Sequence, residues 1–276
     1  MDTGKTHPDN VYKVMPTIKN SLLVFLGYII VIVGLQKLSG VPYTDFTETS
    51  SNMLRGILLP VAVASLYVGV FAKWSGWSQD VFKDKFKIQG HNWMYLLVIF
   101  AVIGTIGNIA FGNIGDRSST FILYAAIATG LVGYSEELMT RGLLLRGARG
   151  SGLSEIKVFL FTSGLFGAMH ALNIFNGQDV KTTLTQVLFT FGAGAVYYAI
   201  FRKTGLLWVT MVLHATWDFS LLTGADGVND ASAASAGQGL LGILVYASYI
   251  VLFASIHLFN VKAGKDKKKV APKAAA

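Results

Sequence analysis

Three short stretches of this 276-residue sequence carry side chains able to move protons. Glu136 and Glu137 are followed by Arg141, Phe166 is followed four residues on by His170, and His214 is followed four residues on by Asp218. All lie inside hydrophobic runs, where an ionisable group costs a few kcal/mol on insertion scales and so needs a reason to be there. At about 100° per residue, Glu137 and Arg141 share a helix face one turn apart and suit an ion pair, whereas Glu136 points roughly 140° away from Arg141. Glu136 therefore keeps no partner within its own helix, which suits it to take a proton from water as a general base. His170 could meet Glu136 across a helix interface, so that the two orient one water and make it a nucleophile for an amide carbonyl. His214 and Asp218 share a face of another helix and could hold a developing oxyanion, or the same water, from the other side.

Each residue also has a plainer reading. An intramembrane Glu–Arg pair can be purely structural, and a single His in a span can be hydrogen-bonded packing, the reading given to His91 and His257. Asp218, beside Trp217, could accept from an indole or a backbone group. What favours chemistry is the set and its depth. Glu136 lies 10 residues from Arg146, His170 lies 13 from Lys157 and His214 lies 11 from Lys203, so all three stand roughly 15–20 Å along their helices.

The elements that must position these groups are transmembrane helices. Apolar residues make up 53% of the chain and charged ones only 14%, and mean hydropathy is +0.52, a balance that a soluble chain of this size could not hide from water. The expected fold is all-α and polytopic, with about eight transmembrane helices around a membrane-embedded polar cavity. Runs near the length of about 20 residues needed to span hydrocarbon fall at about 20–38, 53–72, 93–112, 119–145, 157–172, 182–201, 205–222 and 239–258. The division is a cytoplasmic segment 1–19, a transmembrane domain 20–260 with a motif-bearing core 119–222, and a Lys-rich disordered cytoplasmic tail 261–276. The first run lacks a small-residue cleavage site and is expected to be an anchor.

Orientation follows from Lys and Arg, which favour the cytoplasmic side. With both termini inside, only Lys37, Arg55, Arg117 and Lys181 of the 23 basic residues fall on the other face. The expected address is the plasma membrane. The net charge of +8 is spread between runs and along the tail, so it reads as topology and no nucleic-acid partner is expected. Tyr12, Trp74, Trp77, Trp93 and Tyr95 are expected at membrane interfaces. The segment 78–90, with Lys83, Lys85 and Lys87 alternating with Phe82 and Phe86, reads either as lying on an anionic leaflet or as a solvated loop. Gly130, Gly133, Gly192 and Gly194 are expected to allow close helix packing. Cysteine is absent, so any metal must use His and carboxylate.

The ordered series Glu136-Glu137-x-x-x-Arg141, Phe166-x-x-x-His170 and His214-x-x-x-Asp218 resembles the motifs of the CAAX protease and bacteriocin-processing (CPBP, Abi) family, intramembrane proteases similar to type II CAAX prenyl endopeptidase. The resemblance runs from about Ser119 to Leu222. It implies eight spans with a catalytic cavity open towards the cytoplasm, and cleavage of a membrane-tethered protein or peptide, prenylated or plain. It implies that Glu136 and His170 activate the water, that Glu137, Arg141 and Phe166 support the site, and that His214 with position 218 serves the oxyanion. The CAAX-processing branch commonly has Asn at that last position, and an ionised Asp218 cannot donate a hydrogen bond.

No cofactor is expected. A zinc alternative would use Glu136, His170 and His214 with an open fourth position for water, but no H-E-x-x-H pair is present and a glutamate–histidine mechanism needs no ion. Two other functions compete: a proton-coupled transporter, since Glu, His and Asp also form proton relays, and a catalytically idle immunity or scaffold relative. Neither an inverted repeat nor a soluble domain is visible in the sequence, and nothing in it fixes an oligomeric state.

Overall fold

The computed structural model describes residues 12–112, 114–224 and 236–260. The Lys-rich tail lies outside the described residues. Within them the fold is all-helical, with no strand and one isolated antiparallel bridge between Lys83 and Leu206. The long helices are α1 (Ile18–Ser39), α2 (Ser50–Trp74), α3 (Asn92–Phe111), α4 (119–150), α5 (Glu155–Asn176), α6 (Val180–Thr204), α7 (Leu207–Gly224) and α8 (Ala236–Ser255). Each predicted run falls on one of them.

Six of these, α1, α2, α3, α5, α6 and the stretch Leu241–Asn260, in which a 3-10 turn continues α8, are long and apolar enough to cross a membrane. The two that fall short of that apolarity, α4 and α7, are the ones that carry Glu136, Glu137, Arg141, His214 and Asp218. Their polar residues lower hydropathy, and packing shields them. Large apolar side chains such as Leu26, Leu66, Ile106, Leu188 and Phe253 stand on the outer surface, an arrangement that hydrocarbon stabilises and water would not. The chain is thus an integral, multi-pass membrane protein.

The helices pack most extensively as α5 on α6, α4 on α7 and α4 on α2, with α3 on α8 and α1 on α2 next. Close approach explains the α4–α7 pair. A Cβ on Gly133 would meet the carbonyl oxygen of Met211 and stand 2.9 Å from the Cβ of Ala215, so only glycine lets α4 and α7 lie this near. Gly192 and Gly194 are likewise crowded by Tyr249 and by Phe166, whereas Gly130 faces open space and has no packing role.

The main apolar core lies towards the end of the bundle rich in Lys and Arg, where Trp77, Val81, Leu138, Leu143, Tyr198 and Leu207 are buried. Trp77 corrects an expectation. It is fully buried, not at an interface, and its indole N–H donates to the Val14 carbonyl at 2.7 Å.

The segment 78–90 is not a plain solvated loop, since one side of it is tied into the bundle. Lys83, Lys85 and Lys87 point outwards while Val81, Asp84 and Ile88 point in. Asp84 meets Arg149 at 2.8 Å and Arg202 at 3.0 Å, and Glu155 meets the same two guanidiniums at 2.7 Å each. Tyr198 donates to Glu155 at 2.8 Å, and Arg202 donates to the Phe86 carbonyl at 2.8 Å. Burial alone would raise the Asp84 carboxyl, but Arg149 and then Arg202 outweigh it and hold the group below the ordinary carboxylate range.

Candidate active site

The first motif sits where α4 changes its winding. Regular α-helix runs from Ser119 to Glu137, and Leu138–Leu144 follows as π-helix before α-helix resumes. Wider turns of this kind are common at functional sites. Despite the change, Glu137 and Arg141 meet as their spacing predicts, with Oε1 to Nη1 at 3.0 Å and both side chains fully buried. Arg141 also donates to the Thr140 hydroxyl at 2.5 Å and to the Gly194 carbonyl at 2.9 Å. Its guanidinium lies 4.3 Å from the centroid of the Phe166 ring, so Phe166 supports it from α5 through a cation–π contact. A side chain at Gly194 would press on Phe166 and Arg141.

Glu137 does more than hold its own helix. The same Oε1 that meets Arg141 lies 3.0 Å from Nδ1 of His214 on α7. A carboxylate only accepts, so the His214 Nδ1 carries the proton. That leaves Nε2 facing Glu136 Oε2 at 3.9 Å and Asp218 Oδ2 at 3.4 Å. Tyr197 stacks on the imidazole with centroids 5.0 Å apart, and Phe166 meets its edge at 5.6 Å.

His170 sits where α5 tightens from α-helix into the 3-10 turn His170–Asn176. Its backbone N–H turns back to Gly167, which leaves the Phe166 carbonyl free to accept from the ring Nδ1 at 2.9 Å. A carbonyl cannot donate, so the neutral ring presents a lone pair at Nε2. No hydrogen bond joins His170 to Glu136 among the described residues, and the nearest imidazole contact of Glu136 is His214. The Glu136 carboxylate accepts no hydrogen bond from any described residue.

Exposure grades across the site. The side chains of Glu137 and Arg141 are 0% exposed and that of His214 is 6%, whereas Glu136 reaches 14% and Asp218 27%. Towards the basic end the site is floored by buried Leu138, Met139 and Leu143. Its reachable polar groups, Asp218, His170 and Asn173, lie on the other side.

Sequence reasoning missed Tyr197, which covers His214, and Tyr43, whose hydroxyl accepts from Gln186 Nε2 at 2.9 Å in the turn between α1 and α2. Neither carries a local signal, since aromatic residues are common throughout the chain. Glu136, His170 and His214 do not converge as a zinc set: no three His, Asp or Glu side chains among the described residues stand as a group able to hold a metal ion. Comparison with curated proteins gave no match, and comparison with solved structures gave none. Residues 118–220, which hold all three motifs, match the family model described as type II CAAX prenyl endopeptidase, Rce1-like, the family that the motif series resembles.

Proposed function

We propose that the protein is an intramembrane endopeptidase that hydrolyses a peptide bond in a membrane-tethered protein or peptide, using a water activated by Glu136 without a metal ion. The observation that carries this reading is the contrast within one site: Glu137 is locked between Arg141 and His214, at 3.0 Å from each, while Glu136 beside it stays without a hydrogen bond and partly exposed. A carboxylate in that state is available to a water.

The roles follow from the donor inventory. Glu136 accepts a proton from water, with the His170 Nε2 lone pair orienting it. The hydroxide oxygen bonds to the amide carbon, and the proton held by Glu136 passes to the leaving nitrogen as the C–N bond breaks. Glu137 fixes the His214 tautomer, much as a carboxylate orients imidazole in hydrolytic triads. As an imidazolium, His214 would donate from Nε2 to the oxyanion. An ionised Asp218 would instead serve as acceptor at the mouth of the site. On the basic-residue bias both termini lie in the cytoplasm, with the plasma membrane as the proposed address.

The test is proteolysis in detergent or liposomes against prenylated and plain membrane-tethered peptides, with wild type and Glu136→Gln, each with and without a strong zinc chelator. Cleavage by wild type, lost in the variant and insensitive to chelator, is the expected result. Loss with chelator would overturn the metal-free mechanism, and equal activity of the variant would remove Glu136 as the base.

A further inference from the structure

We propose that Tyr43 is a catalytic residue of this site, donating its phenolic O–H to the oxyanion that forms at the substrate carbonyl. The proposal rests on the endopeptidase reading above and supplies what that reading lacks, a neutral donor on the side where Asp218 stands.

The geometry begins three residues after His170. Asn173 donates from Nδ2 to Gln186 Oε1 at 2.9 Å, and Gln186 in turn donates from Nε2 to the Tyr43 oxygen at 2.9 Å. The first bond fixes which end of the Gln186 amide faces Tyr43. Because the phenol oxygen is used as acceptor, its own proton is unspent: no described residue accepts it. Tyr43 is held from beneath by Phe46, fully buried, with ring centroids 5.3 Å apart. Asn173 stands one 3-10 turn after His170 and so shares its face, which ties the Tyr43 hydroxyl to this site through Gln186 although it comes from the α1–α2 turn Tyr43–Asp45. Burial first, offset by the Gln186 bond and reinforced by the Asp218 and Glu136 carboxyls, pushes the phenol up to about 12, so it keeps its proton at neutral pH.

In the step itself, water oxygen bonds to the carbonyl carbon, the C=O electron pair moves onto oxygen, and Glu136 takes the water proton. Tyr43 donates a hydrogen bond to that oxygen and keeps its proton throughout. Asn173 and Gln186 act as positioning residues.

The experiment compares kcat and KM of full-length wild type and Tyr43→Phe on a peptide that wild type cleaves. Loss of one oxyanion donor predicts a fall in kcat of about 10²-fold, with KM within about threefold and an unchanged melting temperature. In an Asp218→Asn background, where an amide donor stands nearby, the Tyr43→Phe loss should shrink to less than about tenfold. Gln186→Met, which keeps the ring but removes the orienting N–H, should lower kcat by about five- to tenfold and serves if Tyr43→Phe folds poorly. Unchanged kcat in Tyr43→Phe, or in Gln186→Met where that variant stands in, overturns the proposal while leaving the endopeptidase reading intact. Failure of wild type to cleave any peptide overturns both.

Discussion

Two of the buried clusters of charged side chains among the described residues differ in how completely their members are paired. At the basic end, Asp84, Arg149, Glu155 and Arg202 form a closed set. Each carboxylate meets both guanidiniums, and Tyr198 and the Phe86 carbonyl take further bonds. In the motif-bearing cluster, pairing stops halfway: Arg141, Glu137 and His214 are bonded to one another, with Glu137 Oε2 and Arg141 Nε left without a hydrogen bond, while Glu136 and Asp218 stand at the edge with contacts of 3.9 and 3.4 Å to one imidazole. A saturated buried network has no capacity left for a reacting molecule and acts as a brace between segments. An incompletely paired one keeps acceptors free for water and substrate, the condition that chemistry needs.

The sharpest way to break this comparison is Glu136→Gln. Removing a general base costs about 10²–10⁴-fold in rate, and because this carboxylate braces nothing, the melting temperature in detergent should stay at the wild-type value. A large loss of stability would move Glu136 into the structural class. Next in size is Arg141→Ala, which leaves Glu137 buried beside His214 without its cation. Breaking a buried pair costs about 3–5 kcal/mol, so the variant should unfold at lower temperature or fail to accumulate, and wild-type stability would show that water reaches the pair.

The basic-end cluster should show the reverse pattern. Asp84→Asn should lower stability by about 1–3 kcal/mol, because Glu155 still serves both guanidiniums, and should leave kcat unchanged when measured well below the melting temperature. A change in kcat would couple the two clusters. The pH dependence is the smallest effect. The Asp84 carboxyl is held below its unfolded value, which is about 3.9, so its contribution is present above about pH 4 and disappears as pH falls through the folded value. Wild type should therefore lose thermal stability below about pH 4 more steeply than Asp84→Asn, and parallel curves would contradict the assigned ion pairs.

The two clusters were also unequally visible in the sequence. Glu137 and Arg141, or His214 and Asp218, announce themselves because both partners lie on one helix four residues apart and inside an apolar run. Asp84, Arg149, Glu155 and Arg202 sit outside or at the ends of such runs, where charge is expected and signals nothing. They read as loop and topology residues, and their burial follows only from the segment 78–90 folding back against α6 and α7.

The sequence by itself determined the helical membrane fold, the course of the eight long helices and the intrahelical Glu137–Arg141 and His214–Asp218 contacts, because helix pitch and apolar run length are local properties. Only the tertiary structure decided that Glu137 also grips His214, that Glu136 lies nearer His214 than any other imidazole, that Trp77 is interior, and that Tyr43 reaches the site. Those contacts depend on how each helix is rotated against its neighbours. That rotation is set by close approaches such as Gly133 against Met211 and Ala215 and by where α5 tightens at His170, and spacing along one helix carries no record of either.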